Sequence, residues 1–264
     1  MKIKDLRSYD IFGNIALVKF SDKMKVKDKK IFANKILKNN KSVKTVLEKV
    51  GKFKGRLRKM QTKYVVGEKT KEIRYRENGC VFRFNIDKTY FSSRLSGERK
   101  EIAGLIKKGE NVLVIGAGVG PYSIVIAKNS KALKIDSNEI NREANKYGLL
   151  NVELNKVKEK VEIIPGDIKK VALKLKNKKK KYNSIIMTRP QLKDSFLKEA
   201  FMLSKKGTKI YYYDFCKIED IDKIVEKVNS EAKKNKKKIK IVRKKIAGEI
   251  GPYRARLRVD FRVL

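Results

Sequence analysis

The run Val114-Ile-Gly-Ala-Gly-Val-Gly-Pro-Tyr-Ser123 leads an apolar strand into a glycine-rich turn and then a helix. Glycine at 116, 118 and 120 removes side chains where the backbone must approach a ligand. Asp136 stands twenty positions after Gly116 and ends the next apolar run, so its carboxylate is placed to accept hydrogen bonds from ribose hydroxyls. The pair predicts a cradle for a nucleotide-like cofactor; the competing reading is a tight strand-to-helix turn that needs glycine for steric reasons alone. The spacing is G-x-G-x-G, whereas a dinucleotide cradle spells G-x-G-x-x-G, and Pro121 withholds an amide that a phosphate would use. A pyrophosphate is therefore a poor fit.

The rest of the composition narrows the chemistry. The chain has no histidine, which excludes Ser-His and Cys-His nucleophilic pairs and histidine-ligated metals, so proton transfer falls to carboxylate, tyrosine or lysine. Cys80 and Cys216 show neither metal-site spacing nor a disulfide framework and suit a reducing cytoplasm. With 69 Lys and Arg against 29 Asp and Glu, the formal charge is +40, which draws a protein to polyphosphates with steep salt dependence. Lysine runs such as 178–181 and 236–238 read as solvated faces, so the arginines weigh more. They cluster at Arg56, Arg58, Arg74, Arg76, Arg83 and Arg94, and again between Arg243 and Arg262, where guanidinium groups suit phosphate contacts and base stacking. Nucleic acid is the expected partner. No apolar run is long enough to span a bilayer, so no membrane association is expected.

Two domains are expected, 1–92 and 93–264. The first reads as α+β: a strand at Ile15 to Phe20, helical stretches around Lys27 to Leu37 and Ser42 to Val50, and a hairpin turning at Asn78-Gly79. The second alternates strands and helices. Its predicted strands are Asn111 to Ile115, Ala132 to Asp136, Val161 to Ile164, Asn183 to Met187 and Thr208 to Phe215, followed by a closing antiparallel pair, Ile239 to Ile246 and Ala255 to Val263. Such alternation implies right-handed crossovers and a mostly parallel seven-stranded sheet, an α/β fold. Ligands of open α/β sheets sit beyond the carboxyl ends of the strands, where Gly116 to Gly120, Asp136, Asp167 and Thr188-Arg189-Pro190 would meet. Asp167, after Pro165-Gly166, also fits a plain turn aspartate.

The glycine turn resembles the S-adenosylmethionine loop of class I methyltransferases, and the order of strands follows their Rossmann-like plan. More of the chain points the same way. Tyr90-Phe-Ser-Ser-Arg-Leu-Ser-Gly-Glu-Arg99, the glycine turn, Ile185-Ile-Met-Thr-Arg-Pro190 and Tyr211-Tyr-Tyr-Asp-Phe215 resemble, in this order, the archaeal and eukaryotic tRNA (guanine(37)-N(1))-methyltransferases. Arg7-Ser-Tyr-Asp-Ile-Phe-Gly-Asn-Ile-Ala16 and the Asn78-Gly-Cys hairpin extend the likeness over nearly the whole chain, which looks as if it lacks the extra N-terminal domain of longer members. The resemblance implies S-adenosylmethionine as cofactor and methyl transfer to N1 of the guanosine 3′ of the anticodon, with a tRNA anticodon stem-loop as partner of a cytoplasmic monomer. It assigns Glu98 as base and Arg58 as the guanine contact, with Thr188 and Pro190 completing the catalytic set. It gives Tyr90 and Arg94 to the substrate pocket, and Arg94, Gly116, Gly118, Gly120, Asp136, Asp167 and Thr188 to the cofactor. The chemistry agrees: the N1 proton must leave as the methyl arrives, so a carboxylate near N1 and a cation near O6 are needed. The residues alone favour plainer readings: Glu98 as an acid in the first turn of a helix, favoured there by the helix dipole, Arg58 as one more phosphate contact, Tyr90 as a packed strand residue and Arg94 as a surface cation.

Two departures stand out. Thr188-Arg189-Pro190 replaces the usual Asn-Leu-Pro, and Val114 replaces an acidic residue near the methionine part of the cofactor. Alternative readings are a wyosine-pathway enzyme acting on the same nucleoside, a tRNA-binding homologue without catalysis, and a small-molecule methyltransferase.

Overall fold

The computed structural model describes residues 9–55, 57, 59–188 and 195–264, so Arg58 and Pro190 lie outside the described residues. The chain divides into two compact units, Met1–Ser93 and Arg94–Leu264.

In the first unit, β1 (Tyr9–Phe12), β2 (Ile15–Val18), β3 (Thr45–Lys54) and β4 (Lys59–Gly67) form a sheet in the order β1-β2-β3-β4. β2 and β3 are parallel and joined by α1 (Val26–Asn39), whose Ala33 and Ile36 pack on Ala16, Val18, Val46 and Val65. The expected helix at Ser42 to Val50 is instead a turn followed by a strand from Thr45. Thr45, Val46 and Val50 are β-branched, and Thr45 to Glu48 lie beside β2 while Thr45 to Val50 also pair with β4; the ladder outweighs a weak local helical pattern. β5 (Glu72–Glu77) and β6 (Cys80–Asn85) form the expected hairpin, with positive φ at both Asn78 and Gly79. Asn14 ties the β1-β2 turn to β5: its Nδ2 donates to the Glu72 carbonyl and its Oδ1 accepts from the Arg74 amide.

The second unit is built on seven strands: β7 (Asn111–Ile115), β8 (Lys134–Glu139), β9 (Val161–Pro165), β10 (Tyr182–Met187), β11 (Ser204–Lys217), β12 (Ile239–Gly251) and β13 (Arg254–Val263). Their order is β12-β13-β11-β10-β7-β8-β9, parallel from β9 to β11, with β13 and β12 antiparallel at the far edge. This is the α/β plan expected of a class I methyltransferase. The intervening helices are α2 (Ser96–Leu105), α3 (Pro121–Asn129), α4 (Arg142–Leu154), α5 (Ile168–Asn177), α6 (Leu197–Leu203) and α7 (Ile221–Lys234). Near-continuous apolar strands such as Val112-Leu-Val-Ile115 are what a sheet covered on both faces requires. One face buries Leu113, Ile185, Ile210 and Leu257 with Ala172, Leu197, Phe201 and Val228 of α5, α6 and α7.

Local chemistry sets the helix starts. The Asn141 side chain accepts from the Glu143 amide to open α4, and Asp167 accepts from the Lys169 amide to open α5. α3 begins with Pro121 in its first turn, directly after Gly120 at φ +86°.

Candidate functional site

The carboxyl ends of the parallel strands gather the glycine turn, the end of β8 and the loop after β10. Gly116, Gly118 and Gly120 have φ of +74°, +60° and +86°, conformations that a side chain would strain. The Asn138 carbonyl accepts from the amides of Gly116 and Ala117, each at 2.9 Å. Glu139, the last residue of β8, accepts from the Gly118 amide at 2.8 Å through Oε2 and from the Asn141 amide at 2.7 Å through Oε1. The Asn138 side chain donates to the carbonyls of Ile164 and Gly166, fastening β8 to the turn after β9. The Thr188 hydroxyl donates to the Gly116 carbonyl at 2.7 Å.

Asp136 is not part of this edge. The sequence reading ended its strand there, but β8 runs on through Ser137, Asn138 and Glu139, which are buried although polar. Asp136 pairs with Leu113 in mid-sheet, and its Oδ2 accepts from the hydroxyl of Tyr182, the first residue of β10, at 2.5 Å and from the ammonium of Lys180, two residues before it, at 2.8 Å. Burial pushes the Tyr182 hydroxyl far up, and the adjacent Asp136 carboxylate adds to it. Asp136 lines a groove of about 530 Å³ whose walls include Lys134, Lys158 and the 178–181 run, at the amino ends of the strands. The carboxylate that sits at the strand tip is Glu139.

Glu98 lies in the first turn of α2, buried against β11 and β13. Its Oε1 accepts from the Tyr213 hydroxyl at 2.6 Å and the Arg258 guanidinium at 2.5 Å, and its Oε2 from Lys245 at 3.0 Å. A carboxylate has about four acceptor sites, so among the described residues one site on Oε2 stays open. Tyr213 is the residue after Tyr212, the partner of the last residue of β10, so the cluster stands at the carboxyl edge. The Tyr213 hydroxyl is also hydrogen-bonded to Tyr122, in the first turn of the helix that follows the glycine turn. Burial raises the Tyr122 hydroxyl to about 12 and holds Tyr213 well above its usual value, helped there by Tyr122 and Glu98. Both phenols therefore stay protonated and act as donors at neutral pH. Arg258 is fully buried, and its remaining nitrogens bond Asp260 and Glu101. Desolvation would raise the Glu101 carboxyl, but hydrogen bonds from Lys245 and Arg258 outweigh it and hold it below its usual value.

Residues 73–242 match the model of the TRM5/TYW2 methyltransferase domain, and residues 2–70 that of the TYW2 N-terminal domain. The chain belongs to the TRM5/TYW2 methyltransferase family. The tRNA (guanine(37)-N(1))/4-demethylwyosine(37)-methyltransferase Taw22 of Nanoarchaeum equitans is 34% identical, covering 96% of this chain and 98% of the relative. The tRNA (guanine(37)-N(1))-methyltransferase Trm5b of Pyrococcus abyssi is 34% identical over 97% of this chain and 74% of its own. Among solved structures, the complex of aTrm5 with tRNALeu superposes with a TM-score of 0.84 at 28% identity, covering 98% of this chain and 72% of that one. The protein is an S-adenosylmethionine-dependent methyltransferase, with a TYW2 N-terminal domain preceding its methyltransferase domain.

The residues of the methyltransferase fit that cofactor. The left-handed glycines bring bare backbone to the crevice, and Glu139 offers a buried carboxylate at the strand tip, where sequence reasoning expected Asp136. Gly166, at φ +128°, and Asp167 follow the next strand tip, although Asp167 also caps α5. Val114 is fully buried between Ser137 and Ile186 and brings no charge to the edge.

Of the other expected residues, Arg94 is exposed just before α2, and Tyr90 is half-buried in the first unit. Sequence reasoning missed Glu139, Tyr122, Tyr213 and Arg258. Glu139 had a usable signal: it stands twenty-one positions after Gly118 and two before the helix-capping Asn141. Arg258, grouped in the sequence with arginines expected to meet phosphate, is instead fully buried, and its link to Glu98 and Glu101 had no local signal because they lie about 160 positions away.

Proposed function

We propose that this methyltransferase transfers a methyl group to N1 of guanosine 37 in tRNA, with Glu98 as the base. The observation that carries the reading is the Glu98 carboxylate, buried at the carboxyl edge, fixed by three donors and left with one open acceptor site. The named relatives support the substrate: they match nearly the whole chain and methylate position 37.

When bound, S-adenosylmethionine supplies an electrophilic methyl group on a sulfonium. Gly116, Gly118, Gly120, Glu139 and Asp167 would hold it, with Glu139 receiving the ribose hydroxyls. Glu98 would take the N1 proton on its open Oε2 position as that nitrogen gains its methyl group. The donors Tyr213, Arg258 and Lys245 keep that carboxylate aimed and prevent its rotation. Arg58, Tyr90, Arg94 and Pro190 are proposed contacts on the strength of the family likeness, with Arg58 as the cation that offsets charge growing on O6. A monomer in the cytoplasm goes with this reading.

A second reading is methyl transfer to carbon of 4-demethylwyosine at the same nucleoside. It is favoured by the Thr188 hydroxyl, which donates to the Gly116 carbonyl where the usual asparagine amide would help hold a guanine. It is also an activity in the name of the Nanoarchaeum equitans relative. One experiment separates them. The protein is incubated with labelled cofactor and two tRNAs, one with unmodified guanosine 37 and one with 4-demethylwyosine there, and the nucleosides are identified by mass spectrometry. We expect 1-methylguanosine from the first; label only in the second tRNA overturns the guanosine reading, and label in neither overturns both.

A further inference from the structure

β12 and β13 form an antiparallel hairpin closed by Pro252 and Tyr253. Lys217, the last residue of β11, pairs with Arg254, the first of β13, so the closed end of the hairpin lies at the carboxyl edge, where Glu139 and the glycine turn also sit. Tyr253 is 84% exposed there, the most exposed large hydrophobic side chain among the described residues. Its φ is +54°. Proline at the first turn position and positive φ at the second is an arrangement that ordinarily takes glycine or asparagine. A bulky ring thus occupies a position where local conformation disfavours it, and burial within the chain gives it nothing in return.

A flat aromatic face on a stiff hairpin is a surface on which an unpaired nucleobase stacks, and flanking cations hold the phosphates on either side. The same two strands carry Glu249 and Asp260, and Arg243, Lys244 and Lys245 already pair with Glu101, Asp222 and Glu98, so the phosphate contact at the turn falls to Arg254. Arg254 is exposed directly beside the ring. We propose that Tyr253 is an RNA contact, stacking on an unpaired base next to the nucleoside that enters the crevice, with Arg254 on an adjoining phosphate. The proposal rests on the reading of tRNA as substrate. The exposed Ile246 and Ile250 beside the same cations also fit an anionic membrane surface, which the test treats as the rival outcome.

The chain contains no tryptophan, so Tyr253→Trp introduces a sole indole at an exposed position that folding does not depend on. Quenching of that indole by an unmodified tRNA transcript, with no response to vesicles containing anionic lipid, is expected. In filter binding, Tyr253→Ala should raise the Kd for the transcript about five- to hundred-fold, the range for losing one stacked base. Tyr253→Phe should stay within about twofold, and the cofactor Kd should not move. Emission unchanged at saturating tRNA, unaltered RNA affinity in Tyr253→Ala, or a blue shift with vesicles alone each overturns the proposal. If the wild-type enzyme methylates tRNA while the indole ignores it, only the stacking fails. If tRNA quenches the indole but is never methylated, the substrate reading fails and the contact stands.

Discussion

Glu139 and Asp136 are three positions apart on one strand, yet their partners belong to opposite ends of the sheet. At about 3.3 Å per residue, Asp136 is roughly 10 Å short of the edge where Glu139 bonds the Gly118 amide. Hydrogen bonds to a charged group contribute about 1.5–3 kcal/mol. Glu139→Gln should therefore weaken S-adenosylmethionine binding roughly ten- to hundred-fold, whereas Asp136→Asn should leave it within about twofold; calorimetry checks both, and the reverse ranking would restore Asp136 as the ribose contact. Glu98→Gln should behave differently again. It keeps the shape of the network but removes the base, so single-turnover methyl transfer should fall about 10²- to 10⁴-fold with cofactor affinity unchanged, and an equal loss of both would reduce Glu98 to a structural role.

Between elements, the decisive contact is α2 on the antiparallel end of the sheet. α2 contributes Glu98 and Glu101, β12 contributes Lys245, and β13 contributes Arg258 and Asp260. Removing one partner of a buried ion cluster strands the others, at about 3–5 kcal/mol, so Arg258→Met should lower the unfolding free energy by that order in a denaturant titration. The same cluster predicts an acid limb. Because the Glu101 carboxyl is lowered from 4.5 by its partners, its contribution is present above that unfolded value and is lost as pH falls through the lower folded one. Thermal melts should show a flatter decline below about pH 4.5 for Glu101→Gln than for the wild type. The alternating pattern of the second unit was legible because parallel strands and crossover helices write themselves as local periodicity. The parallel pairing of β2 with β3 was not, since a ladder partner far along the chain turned Thr45 to Val50 from helix to strand. The extent of β8 was missed for a related reason: Ser137 and Asn138 are buried by hydrogen bonding rather than by apolarity. Glu98 was legible through its motif, and its three donors were not, because the fold assembles them from distant strands.

Across the whole molecule, the excess of positive charge and the cofactor crevice answer to different physics. A formal +40 attracts any polyanion, and each phosphate neutralised releases counterions, so RNA affinity must fall as salt rises. The cofactor crevice contributes a buried carboxylate and backbone groups, which depend little on bulk ions. The lysine-lined groove around Asp136 shows that part of the charge stands at the amino ends of the strands, opposite the edge that carries Glu139 and Glu98. For a tRNA held through about six phosphates, raising salt from roughly 50 to 200 mM should weaken binding about 10³-fold, while the S-adenosylmethionine Kd stays within about twofold. Parallel titrations of the two ligands over that range measure both slopes. Equal, shallow slopes would mean that the charge does not serve RNA binding, and would return the substrate to a small molecule taken from solution.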